Sequence, residues 1–204
     1  YLMVEPLAEY KEAIEAAQKI IGSSEFFLGA ATGSKNAAIS INVHKDLVGS
    51  SVFEEEEDEE TLVQEKRTVR AKTLDELYGT CRGRKPVLLK LDIQGGELDA
   101  LMGGSEMLDA CEFVILEVSS LRAIRSAPLF DEVVDFMKKR GFIAYDIATL
   151  SYRPLDGALC QADVAFVKEK GFFRQHDQYA TGAQREAQNA KFLKQRQKRQ
   201  RRWK

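Results

Sequence analysis

Histidine, cysteine and long apolar runs are scarce in this 204-residue chain, and each scarcity removes a class of function. His44 and His176 are the only histidines, which argues against mechanisms built on a histidine pair or a His-rich metal centre. The cysteines Cys81, Cys111 and Cys160 are odd in number and widely spaced. That pattern speaks against a disulfide framework or zinc site and favours a reducing compartment, with the cytoplasm expected. No stretch approaches the ~18 apolar residues of a membrane span. The opening residues, Tyr1-Leu2-Met3-Val4-Glu5-Pro6, lack the basic leader of a signal peptide. The chain also starts without methionine and in mid-strand, so upstream residues are expected to be missing.

What is present is a soluble balance, 44% hydrophobic and 30% charged, and enough residues for one sizeable domain with a proper core. The net charge of −2 conceals an asymmetry: residues 184–204 hold nine Lys/Arg against Glu186 alone, a local +8, leaving −10 for the rest. Residues 54–60 are seven consecutive carboxylates. Runs of like charge repel and stay solvated, so both segments are expected to be mobile. The expected division is a domain over 1–170 and a basic tail over 171–204, helical or disordered.

Strand and helix signals alternate along the chain. Apolar residues 1–4 suggest a strand, and Pro6 opens a helix to about residue 21, with Leu7, Tyr10, Ile14, Ala17 and Ile21 on one face. Residues 26–31 read as a strand, and 37–44 alternate as a half-exposed one. Thr73 caps a brief helix after a short strand at 68–72. The 97–108 helix carries a weak point at Gly103-Gly104. Residues 113–118 form an apolar strand, a helix begins near 126–128, and 142–147 and 162–167 close the pattern as two strands with no helix between them. The sum is an α/β fold, mostly parallel, with an antiparallel C-terminal pair.

The segment Val87-Leu88-Leu89-Lys90-Leu91-Asp92-Ile93-Gln94-Gly95-Gly96-Glu97 carries the most chemistry. It reads as a buried strand ending in an aspartate, a glycine turn, and a helix opening with a glutamate. Ligands of open α/β sheets lie outside the carboxyl ends of the strands, where these two carboxylates fall. Glycine at 95 and 96 allows a sharp turn and close backbone approach. An ordinary strand-to-helix turn, with a solvated aspartate and a helix-start glutamate, fits the same residues.

Val4-Glu5-Pro6, Thr73-Leu74-Asp75, Lys90 to Glu97, Leu116-Glu117-Val118, and Asp156-Gly157 followed by Gln161-Ala162-Asp163-Val164-Ala165-Phe166-Val167 occur in that order. Together they resemble the FkbM family of S-adenosylmethionine-dependent methyltransferases, over residues 1–168. The resemblance implies a Rossmann-like, doubly wound methyltransferase sheet in which 1–4 is the second strand, 26–31 the third, and the strands at 87 and 113 the fourth and fifth. It implies that Glu5 holds the ribose diol of S-adenosyl-L-methionine, an ionised carboxylate accepting one hydrogen bond from each hydroxyl. Ala31 and Asp92 join it as cofactor-binding residues. Asp92 and Glu117 are the implied catalytic residues, with Gln94 and Glu97 on the acceptor, although Glu97 also suits a cap of its own helix. The implied acceptor is a hydroxyl of a sugar or another small metabolite. Two carboxylates without histidine make a metal site unexpected.

One family feature is absent. The Gly-rich loop of the first strand, usually D-x-G-A-N, has no counterpart between Tyr1 and Lys204. Its strand belongs between the second and fourth, so two unpaired edges are expected. Either the chain is a fragment of a longer enzyme, the reading favoured by its mid-domain start, or it is a shortened protein without cofactor affinity. In the second case a methyltransferase-like scaffold would bind nucleic acid or an anionic surface through residues 184–204. A solubilising or localising tail fits those residues as well.

Overall fold

Every apolar strand signal finds a partner, but the ladders do not join into one sheet. The computed structural model describes residues 1–35, 38–53, 63–80, 85–122, 124, 126–176 and 178–202. The acidic run at 54–60, expected above to be mobile, lies outside the described residues. Strand β1 (Leu2–Glu5) leads through a 3-10 turn at Ala8–Tyr10 into helix α1 (Lys11–Ile21). The helix thus starts five residues after Pro6. Gly22, at φ 82°, ends it and returns its N–H to Gln18 at 2.8 Å.

The single strand expected at 26–31 breaks at Gly29 into β2 (Glu25–Leu28) and β3 (Ala30–Ala31). β2 pairs in parallel with β1, while β3 moves to β5 (Val63–Lys72). Gly29 permits the switch: a Cβ there would lie 2.6 Å from the Arg70 carbonyl oxygen, and its N–H reaches the Glu5 carbonyl at 3.0 Å. β4 (Ala38–His44) runs antiparallel to β5. β5 is longer than the 68–72 strand expected, because its charged first half faces solvent and carries no apolar signal.

Helix α2 (Leu74–Thr80) begins in a capping box, with Thr73 Oγ1 accepting from the Glu76 N–H at 3.1 Å and Glu76 accepting from the Thr73 N–H at 2.8 Å. β6 (Val87–Leu91) precedes two short helices, α3 (Glu97–Met102) and α4 (Ser105–Ala110), in place of the one helix expected at 97–108. The break at Gly103-Gly104 brings the chain against its neighbours. A Cβ on Gly103 would stand 2.7 Å from the Thr32 carbonyl oxygen, and one on Gly104 would stand 2.9 Å from Leu74. β7 (Cys111–Ser119), α5 (Phe130–Lys139), β8 (Phe142–Tyr152) and β9 (Leu159–Lys168) complete the domain. β8 extends five residues past the expected end, mostly exposed, and forms a long hairpin with β9.

The strand orders are β1-β2, β3-β5-β4 and β6-β7-β9-β8. Among the described residues the doubly wound sheet expected from the sequence is divided into three ladders. β1 and β6 stand as the two unpaired edges expected at its centre, while the separation of β3-β5-β4 from β1-β2 was not expected. The architecture is mixed α/β, and the antiparallel C-terminal pair is present, with β9 inserted between β7 and β8. No ladder joins β1 to β6 among the described residues. Both are outer strands, and both line one cleft of about 1360 Å³. The main core lies beneath the four-stranded sheet, where Leu77, Leu101, Leu116, Met137, Phe142 and Phe166 are fully buried. Each such side chain contributes about 1.5–3 kcal/mol. Leu2, Val4 and Leu89 pack against this core from the outer strands. A second small cluster joins Leu7 to Ile41 and Val43.

The chain divides into two units, 1–173 and 174–204. The second contains helix α6 (Gly182–Arg202), entered through another capping box in which Gln184 accepts from the Thr181 N–H at 2.9 Å. No described helix is long and apolar enough to cross a membrane.

Candidate active site

Three strands bring acidic residues to one level. Leu91 pairs with Leu116 across β6 and β7, so Asp92 and Glu117, each one residue further, lie side by side. Glu117 is in turn paired with Asp163 across β7 and β9. Lys90, two residues before Asp92 and therefore on the same face, donates from Nζ to Asp92 Oδ2 at 2.8 Å. The same Nζ lies 3.9 Å from Asp163 Oδ1, which is buried without a hydrogen-bond partner. The hydrogen bond to Asp92 is the largest influence raising the Lys90 pKa.

Glu117 is held by two amides. Gln94 Nε2 and Gln161 Nε2 both donate to Glu117 Oε2, at 3.1 and 2.9 Å, and Gln94 also reaches Asp92 Oδ1 at 3.3 Å. Burial, reinforced by the charges of Asp92, Glu97 and Asp163 and opposed by Lys90, lifts the Glu117 pKa to about 7. A carboxyl poised there exchanges its proton at neutral pH, as general acid–base chemistry requires.

The turn that carries Gln94 is strained and braced. Gln94 takes φ 51° and Gly95 φ 94°, so the reversal uses the left-handed region at a non-glycine residue as well. Ser51 Oγ donates to the Gln94 carbonyl at 2.6 Å, and a Cβ on Gly95 would stand 2.8 Å from that of Ala127. Glycine at 95 therefore serves the packing of the turn against the protein. Glu97 is 2% exposed, and its Oε1 accepts from the Ile93 N–H at 2.9 Å. Burial first of all raises its pKa to about 7. Its contact is with the backbone of the turn that precedes its helix, and that helix carries no side-chain cap, so Glu97 braces the turn and does not cap the helix as anticipated.

Glu5, Ala31, Asp92 and Gln94 line the same cleft, together with Thr32, Ser51 and Phe53. Glu97 and Glu117 lie outside its lining; Glu117 is linked to it by Gln94. Glu5 is half-buried and accepts the Leu7 N–H at 2.7 Å through Oε1. Burial raises its pKa, with the Leu7 hydrogen bond opposing. The loop after Ala31 is fastened by Asp99, whose Oδ2 accepts from Thr32 Oγ1 at 3.1 Å and from the Gly33 N–H at 2.9 Å. Among the described residues no group of three or more His, Cys, Asp or Glu is placed to hold a metal ion.

Sequence reasoning missed Lys90, Gln161, Asp163 and Ser51 as members of the site. Gln161 and Asp163 stand in a quoted motif and carried a signal. Ser51 is 43 residues from the backbone it holds and carried none.

The Methyltransferase FkbM domain matches residues 1–144. That span includes Glu5, Ala31, Asp92, Gln94, Glu97 and Glu117, and stops short of Gln161 and Asp163. No curated protein and no solved structure matches the chain. With the match covering most of its length, the chain belongs to the FkbM methyltransferase domain family.

Proposed function

We propose that this protein is an S-adenosylmethionine-dependent methyltransferase that acts on a hydroxyl of a sugar or similar small metabolite. The observation that carries the reading is Glu117, a proton-exchanging carboxylate clamped by Gln94 and Gln161 next to Asp92 at the strand ends. The donor set suits the cofactor: a half-buried carboxylate at the tip of β1 for a diol, and an acidic strand edge for a cation. S-adenosylmethionine, when bound, supplies an electrophilic methyl group on a positively charged sulfur. Glu5 would accept hydrogen bonds from the ribose hydroxyls, Ala31 would line the cofactor side of the cleft, and Asp92 would balance the positive charge.

Glu117 takes the proton of the attacking hydroxyl at its carboxylate, while Gln94 and Gln161 fix that carboxylate in place. Gln94 orients the acceptor from the lip of the cleft. Glu97 acts from underneath, holding the turn through Ile93. Alignment and exclusion of water then provide much of the rate. Four carboxylates against one lysine favour a neutral acceptor over a phosphorylated one.

The test is calorimetric titration with S-adenosylmethionine, using protein that includes whatever sequence precedes Tyr1. Formation of S-adenosylhomocysteine is then followed over a panel of neutral sugars. Binding followed by acceptor-dependent turnover is the expected result; no binding at millimolar cofactor would sink the reading.

A further inference from the structure

The cleft and its carboxylates leave one prominent feature unexplained, helix α6. Its side chains are exposed from 182 to 199 apart from half-buried Gln188. Phe192 and Leu193 are adjacent in sequence, so they point about 100° apart and make no apolar stripe. A helix without an apolar face neither packs on a protein groove nor lies in a membrane interface. What it has instead is charge. Lys191, Lys194 and Lys198 share one side at 3.6 residues per turn, and Arg185, Arg196 and Arg199 share another. None of these six is ion-paired among the described residues; Arg185 rests over the Tyr179 ring at 4.9 Å.

Two cationic rows on one bare helix complement two walls of phosphate. An α-helix about 10–12 Å across fits the B-DNA major groove, which is about 12 Å wide and lined by a phosphate backbone on each side. The A-form groove of double-stranded RNA is deep and narrow and does not admit such an element. We propose that α6 binds duplex DNA by lying in the major groove, its lysine row on one phosphate wall and its arginine row on the other. Contacts of this kind position a protein without reading sequence. They also relieve the repulsion among the helix's own charges. This inference is independent of methyl transfer.

The experiment is fluorescence anisotropy of the whole chain with labelled 20-base-pair duplexes of two unrelated sequences. Equal binding to both is expected, and with about six phosphates neutralised the affinity should fall about 10³-fold between 50 and 200 mM salt. Lys191→Gln/Lys194→Gln/Lys198→Gln and Arg185→Gln/Arg196→Gln/Arg199→Gln should each lower affinity at least tenfold and flatten the salt slope by about 2.7. Thermal melting unchanged from the parent shows that unit 1–173 is intact in these variants. The proposal is overturned by no binding at 50 mM salt, or by either triple variant binding like the parent. It is equally overturned by tighter binding to phosphatidylserine vesicles or double-stranded RNA, or by poly-glutamate competing as well as DNA.

Discussion

Glu117 on β7 and Asp163 on β9 are directly opposed in an antiparallel ladder, two acidic residues where cross-strand pairs normally avoid like charge. Lys90 bridges Asp163 to Asp92 from the third strand, and the two glutamine amides absorb part of the charge on Glu117. Such an arrangement is costly to the fold and useful to a site that moves protons.

Replacing Glu117 by Gln keeps the size and one acceptor oxygen of the side chain but removes its proton exchange. Methyl transfer should fall by about 10²–10⁴-fold with cofactor affinity unchanged. In the parent, the rate should rise as pH passes through about 7, where Glu117 loses its proton. An E117Q variant with parental turnover would remove Glu117 from the chemistry.

Glu97 makes a prediction about stability. Its folded-state pKa, about 7, lies above the usual 4.5, so the native protein retains a proton that the unfolded chain has released. Its contribution therefore falls as pH rises from 4.5 to about 7 and is flat beyond that window. Glu97→Gln retains the acceptor for the Ile93 N–H and should be about 1–3 kcal/mol more stable than the parent at pH 8, with little difference at pH 4. Urea unfolding at the two pH values measures it, and equal effects at both would contradict the assignment.

Gln94 separates backbone from side chain. Gln94→Val places a β-branched residue at φ 51° and should cost about 1–3 kcal/mol. Gln94→Gly tolerates that φ and should be tolerated in thermal unfolding, yet lose the amide that holds Glu117 and with it turnover. Equal stability of the two variants would show that the turn is not strained.

Gly103→Ala is expected to destabilise the protein by about 1–3 kcal/mol, because its methyl group would meet the Thr32 carbonyl oxygen, a backbone atom with little freedom to move. Gly141→Ala, in open space but at φ 78°, is the control for backbone strain without a clash. Denaturant midpoints for both decide whether the contact or the conformation dominates.

Much of this arrangement was legible in the chain. The apolar run around Val114 and Leu116, the helix face of Leu7, Tyr10 and Ile14 and the Thr73 cap depend on local patterns, which sequence states directly. Asp92 and Glu117 were legible as strand-end carboxylates. Their link through Gln94 was not, because it depends on the register of β6 against β7, and the hold of Gln161 on Glu117 depends likewise on β7 against β9. The switch of strand at Gly29 also escaped: one apolar run can pair with two different partners, and only a close approach to Arg70 marks the point of exchange. The charged first half of β5 is held by its ladder to β4, a long-range pairing without an apolar signature.

Glu5 stands at the end of β1 and Asp92 just beyond β6, on strands that no hydrogen-bonded ladder joins among the described residues. The distance between them is set by side-chain packing of Leu2 and Val4 on the core, an adjustable spacer compared with a row of backbone bonds. A molecule held by both carboxylates would be a clasp between two separately laced plates, and its binding would be expected to stiffen the cleft between them.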